Sequence, residues 1–208
     1  MTLDKLAVIP YQLAARDAID AALHRLDELE SSIRRCLELH IELVSQKHVD
    51  PATFAERIRQ NTHIRDDLEA FLAAWARLSL LFFPTRNSDP AQQRSQTLQA
   101  CFALPEDTPL NDRGLRNAWM HFDERLDAAV ARGTFSSPFI FPVSAEITAQ
   151  TLQRNLFVVQ LDTGRIHYQG QEGEHHDVLL GDLRGLLTRM EQRWPTAFDS
   201  LPMPDGAT

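Results

Sequence analysis

The sequence predicts a mainly α-helical protein: an antiparallel four-helix bundle carrying a small C-terminal β-hairpin-plus-helix unit. Three observations predict it. Two long stretches repeat apolar residues every three or four positions, with a short break between them. Two shorter stretches of the same kind follow. After Gly133 the pattern changes to β-rich runs around a glycine turn.

The first helix is expected over residues 11–46, just after Pro10. Leu23, Leu26, Leu29, Ile33, Cys36, Leu37, His40 and Val44 form its apolar stripe. His48-Val49-Asp50-Pro51 reads as a break and restart, with Asp50 as N-cap and Pro51 in the first helical position. The second helix carries Phe54, Ile58, Ile64, Leu68, Phe71, Leu72, Trp75, Leu78 and Phe82, and stops before Pro84. So short a connection makes the two helices antiparallel. Asn87-Ser88-Asp89-Pro90 starts a third helix over residues 91–102. The fourth is expected over 111–131, with Leu115, Trp119, Phe122, Leu126 and Val130 on one side.

Residues 136–143 hold two prolines and two aromatics and read as an extended connector. Residues 155–161 and 165–169 are strands joined at Asp162-Thr163-Gly164, where glycine takes the left-handed position. A final amphipathic helix spans 179–194. The expected organisation is a bundle over 11–132, a connector, hairpin and helix over 133–195, and a loose tail over 196–208. A lone hairpin is marginal in water, so it must dock on the bundle or on a second subunit.

The chain has 208 residues and a net charge of −8. That excess argues against coating nucleic acid or anionic lipid by bulk charge. The two cysteines, Cys36 and Cys101, sit in apolar helical patterns and form neither a disulfide framework nor a zinc site. The sequence shows no signal-peptide pattern and no apolar run long enough to span a bilayer, so a cytoplasmic protein with no membrane partner is expected.

The densest polar cluster runs from Leu115 to Asp127. At 100° per residue, Leu115, Trp119, Phe122 and Leu126 form a buried face, while Asn117, His121 and Glu124 align on the opposite one. Arg116 lies at the edge beside Asp123. Arg–His pairs at similar spacing recur at Arg34 and Arg35 with His40, and at Arg57 with His63. Arg116 differs from these because the amide of Asn117 follows it and because the pair sits on the fourth helix. The other arginines are followed by Arg35, Cys36 and Ile58.

An Arg, a polar residue and a His five positions after the Arg, on a late helix of a four-helix bundle, resemble the signature of the HEPN superfamily. The resemblance covers the bundle and leaves the C-terminal unit outside. It implies a homodimer acting as a metal-independent endoribonuclease of a bacterial defence or toxin type, together with a cognate antitoxin or regulatory protein. Arg116 and His121 would be catalytic across the dimer cleft, with Asn117 in support and Glu124, Arg125 and Arg113 holding RNA. A guanidinium can stabilise the charge that grows on phosphorus as the 2′-hydroxyl attacks, and an imidazole can exchange the proton near neutral pH. The products would be 2′,3′-cyclic phosphate ends, with no metal or cofactor involved.

The same residues also suit a helix face that is simply solvated or that hydrogen-bonds a partner. The alternative function is therefore a non-catalytic interaction or regulatory module of the same fold. The two differ in one respect: catalysis needs Arg116 and His121 accessible from a shared cleft. His175 and His176 read as part of a solvated loop rather than, together with His167 of the second strand, as metal ligands. The eight glycines form no phosphate loop or dinucleotide fingerprint. No residue pattern favours a small-ligand pocket between the bundle and the C-terminal unit.

Overall fold

The structure is a computed structural model that describes residues 5–45, 50–85, 88–133, 135–142, 147–170, 173–199 and 201. Two long helices dominate it, α1 (Lys5–Ser45) and α2 (Pro51–Phe82). Asp50 caps α2 as expected: its carboxylate accepts from the backbone N–H of Ala52 (3.2 Å) and Thr53 (3.0 Å), and Pro51 occupies the first turn. His48 and Val49, in the expected break, lie outside the described residues, as does Asn87. Helix α1 starts earlier than the periodicity suggests, and Pro10 lies within it near its N-terminal end. There a proline costs one backbone hydrogen bond without ending the helix.

The third helix, α3 (Asp89–Phe102), ends at Ala103 in the left-handed conformation (φ 48°). A 3₁₀ turn over Pro109–Asn111 leads to α4 (Arg113–Met120). The expected single fourth helix is in fact two. His121 (φ −117°, ψ 36°) closes α4 and opens α5 (Phe122–Ala131). The break separates two packing roles. Leu115 and Ala118 on α4 are buried in the core, whereas Phe122 on α5 stacks on the sheet against Phe139 (5.5 Å between ring centres) and Phe157 (6.4 Å).

The C-terminal unit is larger than a hairpin. It is a four-stranded sheet ordered β1 (Ser137–Ile140), β2 (Asn155–Gln160), β3 (Arg165–Gln169) and β4 (His175–Leu179). A short helix, α6 (Ala149–Arg154), leads into β2, and α7 (Leu180–Arg193) follows β4. Strand β1 runs parallel to β2, and the other pairs are antiparallel. The β2–β3 turn is the expected one, with Gly164 at φ +65°. The two additional strands are both edges. Edge position lets β1 tolerate Pro138, and it lets β4 keep His175, His176 and Asp177 exposed. His175, His176 and Asp177 therefore lie on an edge strand, while His167 lies on β3 between β2 and β4.

One contiguous core joins these parts. It runs from Val8 on α1 through Trp75 on α2 and Phe157 on β2 to Leu187 on α7. Ala197, Phe198 and Leu201 are also buried in it, so the expected loose tail is packed as far as residue 201. Phe198 meets Phe102 edge-on at 5.7 Å and Trp194 at 5.3 Å, which explains the docking. Arg184 on α7 grips α1 through Asp27 (2.7 Å) and Glu30 (2.9 Å). No helix among the described residues is long and apolar enough to cross a membrane.

The free end of the α1–α2 hairpin lies beyond this core. Val44, Phe54 and Ile58 continue the predicted stripes but are 72%, 52% and 53% exposed, and Ile41 is 66% exposed. On α1 the contiguous core extends to Cys36, with Leu37 packed against it and Leu39 also buried, and on α2 it begins at Ile64.

Candidate functional site

The polar face predicted on the fourth helix survives the break at His121. Asn117, His121, Glu124, Arg125 and Ala128 line one cavity of about 280 Å³. His121 Nδ1 lies 3.4 Å from a carboxylate oxygen of Glu124. Both side chains are more than half exposed, so the pair is wet and weak.

Arg125 is the anchored cation of the cavity. It donates to the Gln169 carbonyl at the end of β3, and its Nε has no partner among the described residues. Burial lowers its pKa, opposed by Glu174, Tyr168 and Glu124. Gln169 itself is buried. Its side-chain amide donates to the carbonyls of Leu152 (2.9 Å), Gln153 (3.2 Å) and Asn155 (3.1 Å), and its side-chain oxygen accepts from Arg132 (3.1 Å). The cavity wall is thus tied to the sheet through Arg125 on α5 and Arg132 just after it.

Arg116 is elsewhere. It is 2% exposed and among the largest fully buried side chains. Its Nη1 donates to Ser79 Oγ (3.1 Å) and to the Phe83 carbonyl (3.1 Å), at the C-terminal end of α2. Ser79 in turn donates to the Leu110 carbonyl (2.9 Å). Burial lowers the Arg116 pKa, Arg113 adds to this, and Asp112 opposes it. No carboxylate forms an ion pair with Arg116 among the described residues. The expected edge position is therefore a core position, and Arg116 does not share the cavity of His121. The physical reason is the open end of α2: its last carbonyls need donors, and a long guanidinium reaches them from α4.

Arg113 is exposed and lines a different depression, beside Phe83 and Asn111. Of the six residues singled out in the sequence, four converge on one cavity and two do not.

The start of α4 is held by a contact that the sequence did not reveal. Asp112 accepts from Gly114 N–H (2.7 Å) and from the Tyr168 hydroxyl (3.0 Å). A Cβ on Gly114 would stand 2.9 Å from that hydroxyl and 3.0 Å from the Asp112 carboxylate, so a side chain there would force this contact to shift. Burial and the neighbouring Asp112 push the Tyr168 phenol far above its usual range.

No group of three or more His, Cys, Asp or Glu side chains able to hold a metal occurs among the described residues. Burial raises the pKa of both Cys36 and Cys101, opposed by Arg57 and Arg193 respectively, so neither thiol is activated. Comparison with protein-family models, with curated proteins and with solved structures finds no match for this chain.

Proposed function

We propose that the chain is a non-catalytic helical interaction module that pairs with a second copy of itself through the free end of the α1–α2 hairpin. The observation that carries this reading is the apolar end of that hairpin. Ile41 and Val44 lie about 60° apart on α1, and Phe54 and Ile58 about 40° apart on α2. Each pair therefore presents one face, and each face is more than half exposed. Large apolar side chains left exposed near the end of a helical hairpin mark a contact surface.

A second copy is the fitting occupant on electrostatic grounds. The chain carries a net charge of −8, which opposes self-association. The hairpin end is locally balanced. Residues 34–45 hold Arg34 and Arg35 against Glu38 and Glu42, and residues 50–63 hold Arg57 and Arg59 against Asp50 and Glu56. Two copies can meet there without net repulsion. The burial of Arg116 supports the same reading, because its guanidinium is engaged with α2.

Light scattering after size exclusion tests the pairing. Wild type is expected at twice the chain mass of 23.6 kDa. The variants Val44→Glu and Phe54→Glu, both at exposed positions, are expected to elute at the single-chain mass with unchanged helicity. A wild type that stays monomeric, or a dimer indifferent to both changes, overturns the proposal.

The cavity of Asn117, His121, Glu124 and Arg125 favours a second reading. There the four-helix bundle is HEPN-like, formed by α1, α2, α3 and the broken α4–α5 pair, and the chain is an RNA-cleaving cytoplasmic protein regulated by a cognate partner. Arg125 takes the phosphate-binding role and His121 moves the proton. Cleavage of a mixed RNA pool in EDTA by wild type, lost in both His121→Ala and Arg125→Ala, would establish it. No cleavage by folded wild-type protein would remove it.

A further inference from the structure

We infer that the cleft between the loop following α3 and the helix α7 is a binding site for a small amphipathic carboxylate. The cleft holds about 640 Å³, a volume typical of small-molecule sites. It lies at the opposite end of the hairpin from the apolar tip, next to Trp194, over which Arg16 is stacked at 5.8 Å. The loop over 103–109 forms one wall, and one face of α7 forms the other.

The lining has an apolar floor and a cationic rim. Phe102, Leu186 and Met190 are buried, and Leu104 packs against the same core. Above them stand Arg189 and Arg193, with Asp107 as the one acid in the lining. Arg193 donates its Nε to the Cys101 carbonyl (2.9 Å), which fixes its charge at the cleft. Arg189 has no carboxylate or hydrogen-bond partner among the described residues. In a chain of net charge −8, the residues lining this cleft sum to one positive charge, with Glu106 in the same loop but outside the lining.

Thr108 supplies an independent sign. It lines the same wall and is 3% exposed. Its hydroxyl does not cap the following 3₁₀ turn and has no hydrogen-bond partner among the described residues. A buried hydroxyl left unpaired is costly, and such groups in folded proteins call for an explanation. A carboxylate oxygen is the acceptor it lacks. A monoanion balances the single surplus charge, and an alkyl or aryl body covers the apolar floor. A polyphosphate would bring more negative charge than the cleft can match, and its body would leave the floor wet.

Titration calorimetry with decanoate, kept below its micelle concentration, tests the site. Saturable one-to-one binding is expected. Decyltrimethylammonium, with the same chain and the opposite charge, is expected to bind at least about tenfold more weakly. Arg189→Ala, at an exposed position, should weaken decanoate binding by about tenfold. Thr108→Val should weaken it several-fold while leaving the melting temperature the same or higher, because the change removes an unpaired hydroxyl. A purely structural threonine would leave affinity untouched. Absence of saturable decanoate binding up to about 1 mM, equal binding of both head groups, or wild-type affinity in both variants overturns the assignment.

Discussion

Replacing Arg116 separates a structural arginine from a catalytic one. Its guanidinium makes two charge-assisted hydrogen bonds, to Ser79 Oγ and to the Phe83 carbonyl, each at 3.1 Å. Such bonds contribute roughly 1.5–3 kcal/mol each in a buried setting. Arg116→Ala loses both, opens a cavity where a fully buried side chain stood, and leaves the Phe83 carbonyl without its donor. Against this stands the desolvation cost of a guanidinium with no paired carboxylate, which the alanine variant escapes. The net expectation is a loss of about 4 kcal/mol. Arg116→Met keeps most of the volume and drops the charge, so its loss should be only about 1 kcal/mol. With a urea slope of about 2.5 kcal/mol per molar, the unfolding midpoint falls by about 1.6 M for alanine and by about 0.4 M for methionine. Circular dichroism during urea titration measures both. An alanine variant with the wild-type midpoint would refute the core assignment and return Arg116 to the surface, where a catalytic role becomes admissible.

Gly114→Ala is expected to lower stability by about 2 kcal/mol, because its Cβ would meet the Tyr168 hydroxyl at 2.9 Å and the capping carboxylate of Asp112 at 3.0 Å; thermal unfolding reads this directly. Tyr168 carries a pH signature. Its folded pKa is raised, so its contribution is complete below the unfolded value of about 10 and is lost as pH rises towards the folded value. Wild type should therefore lose stability above about pH 10 more steeply than Tyr168→Phe, and parallel alkaline limbs would contradict this. Arg184→Ala should cost about 1 kcal/mol, a modest figure because both acids of its pair are partly exposed. The loss should shrink in high salt, and a salt-independent loss would point to packing instead.

The long helices were legible because their apolar stripes run for many turns and because Asp50-Pro51 is a strong start signal. Gly164 likewise marked the turn between β2 and β3. The edge strands were not legible. Ser137–Ile140 contains a proline and His175–Leu179 is mostly polar, so each becomes a strand only because β2 and β3 supply a template beside it. The break at His121 carries no proline or glycine, and its cause, the aromatic stack of Phe122 on Phe139, is set by residues outside the helix. Arg116 was assigned to the surface because charge usually belongs there. The groups that bury it, Ser79 and Phe83, lie 37 and 33 residues earlier in the chain. The polar convergence of Asn117, His121 and Glu124 followed from helical spacing alone, and it is the part of the site that periodicity could reach.

The contact of Arg184 with Glu30 spans 154 residues of sequence. At ribosomal rates of about 5–20 residues per second, α7 emerges roughly ten to thirty seconds after the segment of α1 that it covers. For that interval the flank of α1 that α7 covers stands open to the crowded surroundings of the ribosome exit. Truncation before α7 would leave that flank without its cover, the kind of exposed apolar surface that makes incomplete chains prone to aggregate.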